Sequence, residues 1–202
     1  MPFSKYAKVK DRLCINYVGH NPDYLVQLKA LRPSFEKAFP EINFIFTGRN
    51  IVWLEEDTPE DEFGYTINVL YDASEEVHPI LNLIKESSIP VQKCPHVGKG
   101  DHYGIICPYG NFPTKSLTDK QINQLKTYVE KQSLKPLVLK TLDEKARKEQ
   151  ARNAGMVVGV ECDVLFEAVY AGRPTALVPT GLGQELYEML AEKPIVLHLD
   201  QK

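Results

Sequence analysis

The sequence predicts an α/β protein of two small lobes, each with a parallel sheet. Three observations carry this. Short β-prone apolar runs alternate with stretches of helical periodicity along the chain. A Gly- and Pro-rich polar stretch, KCPHVGKGDH, interrupts that alternation near the middle. The apolar content of 43% with 25% charged residues is enough to build a core.

Taken in order, Arg12 to Val18 (RLCINYV) reads as the first strand and GHNPD as a turn-rich loop. Leu25, Leu28 and Leu31 then recur at helical spacing. Pro33 is expected to kink or restart that helix, because it has no amide hydrogen to donate, and Phe35, Ala38 and Phe39 continue the apolar face to Pro40. Ile42 to Thr47 is a second strand closed by Gly48, which completes a β-α-β unit with a parallel crossover. Residues Glu55 to Glu62 form an acidic loop, Tyr65 to Tyr71 a third strand, and Glu75 to Lys85 a helix with Val77, Leu81 and Ile84 inward. Ile89 to Val91 is expected as a short strand. The boundary is drawn in the stretch that follows, giving an N-terminal lobe over 1–98 and a C-terminal lobe over 99–202.

The second half alternates more cleanly. Tyr103 to Cys107 is a strand and PYGNFPTK a loop. Leu117 to Gln132 is an amphipathic helix with Ile122, Leu125 and Val129 on one face and Thr118 as N-cap. Pro136 to Leu139 is a strand, and Asp143 to Asn153 a charged helix ending before Gly155. Met156 to Val160 is a buried strand, Asp163 to Ala171 a helix with Gly172 beyond it, and Pro174 to Val178 a strand followed by the Gly181 and Gly183 breaks. Glu185 to Leu190 is helical and Ile195 to Leu199 a last strand.

Composition narrows the function. The net charge of −3 and scattered lysines argue against nucleic acid, which needs clustered cations. The one basic cluster, Lys145, Arg147, Lys148 and Arg152, is interleaved with acids and reads as a solvated helix face. No apolar run approaches the roughly 18 residues that span a bilayer, and MPFSKYAKVKDR has no signal-peptide core. The chain therefore reads as cytoplasmic, with peripheral membrane contact left open. Of the 4 cysteines, Cys14, Cys107 and Cys162 sit in or beside apolar runs and read as buried thiols. Cys94, His96, His102 and Cys107 lack the short paired spacing of a zinc site, so no metal or other cofactor is expected.

The sharpest feature is MVVGVECDVLFEAVYAGRPTALVPTGLGQE. A buried strand turns at Glu161 and Cys162 directly into a helix, whose N-terminus offers unpaired amides and a positive dipole end suited to a diphosphate. PTGLG supplies flexible backbone after the next strand. Capping by Asp163 is the plainer role for that junction.

This segment resembles the C-terminal signature of GT-B-fold glycosyltransferases, and most of all the ADP-heptose:lipopolysaccharide heptosyltransferase family. PDYLVQLKALRPSFEKAFPEINFIF resembles that family's opening, and IICPYGNFPTKSLTDKQINQL its strand, lysine-bearing loop and helix. AGMVVGVECDVLFEAVYAGRPTALVPTG resembles its strand-acid-helix-strand-Pro-Thr end. The resemblance implies a minimal GT-B-like architecture, shorter than its relatives, with the N-terminal lobe on the acceptor side and the C-terminal lobe on the nucleotide-sugar side. It implies metal-independent transfer of a sugar, hexosyl or heptosyl, from a nucleotide diphosphate sugar donor to the hydroxyl of an unknown acceptor.

By the same resemblance Asp23 falls on the catalytic aspartate, and His20 is a second candidate base. An N-cap and a polar loop residue are their plainer roles. Lys115 falls on the phosphate-binding lysine, with Thr114 as a further donor. Glu161, Cys162 and Asp163 fall on the Asp-[ST]-Gly turn, where Asp163 replaces glycine and brings a negative charge to the diphosphate's approach. Glu144 resembles the ribose-binding glutamate and Glu167 is the alternative; either otherwise reads as a solvated helix glutamate. Thr180, Gly181 and Gln184 complete the expected nucleotide-sugar site. A non-catalytic nucleotide- or partner-binding descendant and a nucleotide-sugar epimerase are the alternative functions.

Overall fold

A computed structural model describes residues 12–18, 22–40, 43–49, 65–70, 80–81, 84–85, 88–110, 116–140, 144–181 and 183–200. The chain divides into two compact units, Met1–Gln92 and Lys93–Lys202.

In the first unit, β1 (Arg12–Val18), β2 (Asn43–Arg49) and β3 (Tyr65–Leu70) form a parallel sheet in the order β2-β1-β3. The central strand sets Leu13 opposite Phe44 on one side and Tyr65 on the other. Parallel neighbours cannot be joined by a tight turn, and helix α1 (Pro22–Ala38) connects β1 to β2 and packs on β2. The helix does not restart at Pro33 but runs through it. Pro33 sits on the exposed face, while Leu31, Ser34 and Phe35 are buried around it, so packing holds the helix across the missing hydrogen bond. An Arg32–Glu36 pair at 2.9 Å spans the same turn on the outside.

Residues 80–81 and 84–85 are helical and bury Ile80, Leu81 and Ile84. Ser88, at φ 54°, closes that turn by donating its N–H to Ile84 O at 3.0 Å. The strand expected at Ile89 to Val91 is absent. Pro90 has no N–H for a ladder, and the Gln92 N–H goes to Ser34 Oγ at 2.7 Å.

The second unit holds a four-stranded parallel sheet, β5-β4-β6-β7, built from β4 (Tyr103–Cys107), β5 (Lys135–Val138), β6 (Met156–Val160) and β7 (Thr175–Val178). The helices are α2 (Asp119–Lys131), α3 (Glu144–Asn153), α4 (Asp163–Tyr170) and α5 (Gln184–Leu190). β6 is buried at every residue, as a central parallel strand covered on both faces must be. Ile106, Met156, Val158, Val160, Ala176 and Val178 meet Leu125 and Val129 of α2 in one core. The alternate residues Ile105, Val157 and Leu177 are equally buried, and α4 packs on β6 and β7. Gly159 has no room for a side chain: at φ 144° a Cβ would lie 2.1 Å from Cys107 O.

Thr118 caps α2 as expected. Its Oγ1 accepts from Gln121 N at 3.3 Å and its N–H donates to Gln121 Oε1 at 3.0 Å, a reciprocal capping box. The strand expected at Ile195 to Leu199 is reduced to one parallel bridge between Leu177 and Val196. Leu177 N donates to Ile195 O and Leu197 N to Leu177 O, each at 2.8 Å, but the Ile195 N–H turns to the Tyr187 hydroxyl. Tyr187 is fully buried on α5, and its hydroxyl also donates to Thr175 O at 3.0 Å and meets Thr175 Oγ1 at 3.1 Å.

One oxygen thus joins α5, the start of β7 and the edge segment. Tyr187→Phe leaves the Ile195 N–H and Thr175 O without their partner and is expected to destabilise the protein by about 1–3 kcal/mol. The urea midpoint should fall with an unchanged slope.

Candidate functional site

Of the expected nucleotide-sugar residues of the second unit, Glu161, Cys162 and Asp163 follow the end of β6, and Thr180 and Gly181 follow the end of β7. The five-residue apolar strand β6 runs without a loop into α4, so the turn residues Glu161, Cys162 and Asp163 enter the interior. Cys162 is the N-cap in extended conformation, and its side chain makes no capping bond. Asp163 supplies the contact instead: its Oδ1 accepts the Val164 N–H at 2.8 Å. Its Oδ2 lies 3.7 Å from an Arg147 guanidinium nitrogen on α3. The charge expected to repel a diphosphate is therefore bonded to its own helix and faced by a cation.

Glu161 is also buried, and its Oε2 accepts the Gly183 N–H at 3.1 Å. This ties the loop after β7 to the end of β6. The approach is so close that a Cβ on residue 183 would lie 2.1 Å from the Glu161 carboxylate, so a larger residue there would have to displace that side chain. In that loop Gly181 is exposed, and Thr180 keeps a buried Oγ1 that makes no hydrogen bond. Gln184 donates to Glu188 at 2.8 Å along the surface of α5.

Glu167 is not a solvated helix residue. It is 1% exposed, and its Oε1 accepts from Arg152 Nε at 2.6 Å. One of its two carboxylate oxygens is thus engaged by α3. Two members of the basic cluster expected as a solvated face, Arg147 and Arg152, thus also reach buried partners. Arg147, about one turn from the start of α3, and Arg152, in its last turn, each meet a buried carboxylate of α4. Arg147 also keeps a buried Nε with no hydrogen-bond partner.

Arg147 is the residue that sequence reasoning missed. The available signal was its spacing from Arg152, five residues along α3, opposite acids spaced four apart on α4. The backbone of Asp23 and Glu144 is helical, at the starts of α1 and α3. Their side chains, and all of His20, Thr114 and Lys115, lie outside the described residues.

Among the described residues no group of three His, Cys, Asp or Glu side chains is placed to hold a metal. Cys94 and Cys107 are separate buried thiols, and burial pushes the Cys94 thiol up to about 11, which keeps it protonated at neutral pH. Among the same residues no helix is long and apolar enough to cross a membrane.

No family model matches the chain, and no curated protein matches it in sequence. Solved structures do resemble it. The iron-containing dodecameric glycosyltransferase TibC from enterotoxigenic E. coli H10407 aligns with TM-score 0.58 and 13% identity over 96% of this chain. The alignment takes in 64% of TibC, so this chain spans less than two thirds of that protein. The E. coli heptosyltransferase WaaC with ADP aligns with TM-score 0.57 and 12% identity over 92% of each chain. WaaC with ADP-2-deoxy-2-fluoro heptose aligns with TM-score 0.53 and 10% identity over 94% of this chain and 93% of that one. The fold is that of the GT-B glycosyltransferases, and solved heptosyltransferase structures share it.

Breaking the Arg152–Glu167 pair gives a direct test of burial. Arg152→Ala strands a carboxylate in the core and is expected to cost about 3 kcal/mol, the low end for a buried pair because Arg152 is 46% exposed. Replacing both residues with leucine should restore most of that loss in a chemical denaturation double-mutant cycle.

Proposed function

We propose that this chain binds a nucleotide diphosphate sugar at the ends of β6 and β7 and transfers the sugar to an acceptor hydroxyl without a resident metal. The observation that carries the reading is a pair of buried, unpartnered polar atoms, Arg147 Nε and Thr180 Oγ1, on the two segments flanking the β6–α4 turn. Buried polar groups are almost always bonded, and a guanidinium can only donate, so an anion is the partner that suits it. The GT-B fold supports the same reading, because open α/β sheets bind ligands at the carboxyl ends of their strands.

In the proposed reaction the acceptor oxygen attacks the anomeric carbon as the bond from that carbon to the diphosphate breaks. Asp23 or His20 takes the hydroxyl proton. Lys115, Thr114, Arg147 and Thr180 stabilise the departing diphosphate, with Cys162, Gly181 and Gln184 bordering it. Asp163 and Glu161 act through others: one orients Arg147 and the start of α4, the other holds the loop after β7. Glu144 takes the ribose hydroxyls, since Glu167 is engaged by Arg152. ADP-linked sugars are the first donors to test, because the similar WaaC structures contain ADP or an ADP-sugar analogue.

A second reading is a nucleotide- or partner-binding protein without turnover. Asp163 favours it, because its carboxylate takes a helix-start amide that a phosphate would otherwise use.

The test compares thermal stability with ADP-, UDP-, GDP- and CDP-linked sugars. One class is expected to stabilise the fold selectively, by about 2.7 kcal/mol at a hundredfold excess over Kd. Arg147→Ala should weaken that binding at least tenfold, or about 1.4 kcal/mol, and EDTA should leave turnover unchanged. Stabilisation by none of the four would overturn the reading, and selective binding without sugar transfer would establish the second.

A further inference from the structure

A separate cavity of about 190 Å³ opens in the second unit at the other end of β7. Its walls come from the last turn of α4 and the turn after it (Val169, Pro174), the segment after α5 (Ala191, Ile195) and the chain that opens the unit (Cys94). Thr175, which begins β7, lines it as well, whereas Thr180 and the β6–α4 turn follow the strand's far end. β7 is four residues long, so roughly 10 Å of strand separates the two places.

The wall is fastened by backbone. Cys94 N donates to Leu190 O at 2.8 Å, Val97 N donates to Gly172 O at 2.9 Å, and Cys94 pairs with Ala191 in a parallel bridge. The inner polar groups are already satisfied, because the Tyr187 hydroxyl takes Thr175 and the Ile195 amide. The Cys94 thiol stays neutral there. An occupant would gain only apolar contact in the interior.

The mouth is different. Arg173, Lys193, Glu192 and His96 surround it. The Glu192 carboxylate is engaged by the His96 backbone N–H at 2.6 Å. Arg173 is held in place by the carbonyls of Arg152 and Val97, at 2.6 and 3.1 Å. Lys193 is exposed. Two cations against one engaged carboxylate leave the mouth net positive.

We propose that this cavity is a second binding site, for a small monocarboxylate whose single ring or branched chain fills the apolar interior and whose carboxylate meets Lys193 and Arg173. An apolar cavity of about 150 Å³ holds benzene, so the volume suits one ring. A carboxylate matches the guanidinium and ammonium at the mouth.

Ligand-observed NMR titration of the full chain with benzoate, benzyl alcohol and benzylamine tests this. Benzoate is expected to bind at least tenfold tighter than the alcohol, and benzylamine more weakly still. Lys193→Glu, a change on the exposed rim, should cut benzoate binding at least tenfold and leave benzyl alcohol unchanged. Ala191→Phe should abolish both by filling the interior; Ala191→Met serves if the phenylalanine variant does not fold. Equal binding of the three probes, no benzoate binding at millimolar concentration, or no effect of Lys193→Glu would each overturn the proposal. The site at the far end of β7 plays no part in these readouts, so failure here leaves the proposed transfer untouched.

Discussion

The second unit is organised around a burial problem. β6 is a central strand covered on both faces, and the chain leaves it straight into α4, itself buried along almost its whole length. Glu161, Asp163 and Glu167 lie on that path, so three carboxylates enter the interior together. An isolated carboxylate is not tolerated there. Each finds a different partner: the Gly183 N–H, the Val164 N–H with Arg147 alongside, and Arg152. These contacts set where α3 lies against α4 and where the loop after β7 must pass.

This arrangement explains how an acidic turn can sit where a diphosphate is proposed to bind. Glycine at position 163 would leave the helix start open; aspartate closes one amide but holds an arginine nearby. The net effect moves the positive end of the site from backbone dipole toward a side-chain cation. That shift is compatible with the GT-B fold, because the fold specifies strand ends and leaves the chemistry to the residues placed there.

Much of the fold was legible in the sequence because the signals are local. The MVVGV run, the Thr118–Gln121 capping box and the Gly-terminated helices are each specified within a few residues. The misses share a cause. Pro33 is a signal for a helix restart, yet the buried Leu31 and Phe35 on either side of it carry one helix through. Ile195 to Leu199 was read as a strand, yet the Tyr187 hydroxyl captures the amide that would extend the ladder. The α3 arginines were read as solvated because their partners are 15 and 16 residues away, on another helix. A helix wheel records only neighbours within its own turns. The turn at Glu161, Cys162 and Asp163 is legible for the opposite reason, since a strand, a turn and a helix start follow one another directly.

The two arginine–carboxylate pairs also bear on how this sequence can drift. Arg147 with Asp163, and Arg152 with Glu167, join α3 to α4 at two levels. Losing Glu167 alone frees the half-exposed Arg152, which water can solvate, and losing Asp163 alone strips the half-buried Arg147 of its facing charge; losing either arginine alone leaves a carboxylate in the core. Substitution is therefore directional. For Arg152 and Glu167 the carboxylate must go first or together with its arginine, and relatives of this chain should carry that couple with arginine outlasting acid; the more buried Arg147 and Asp163 should change together.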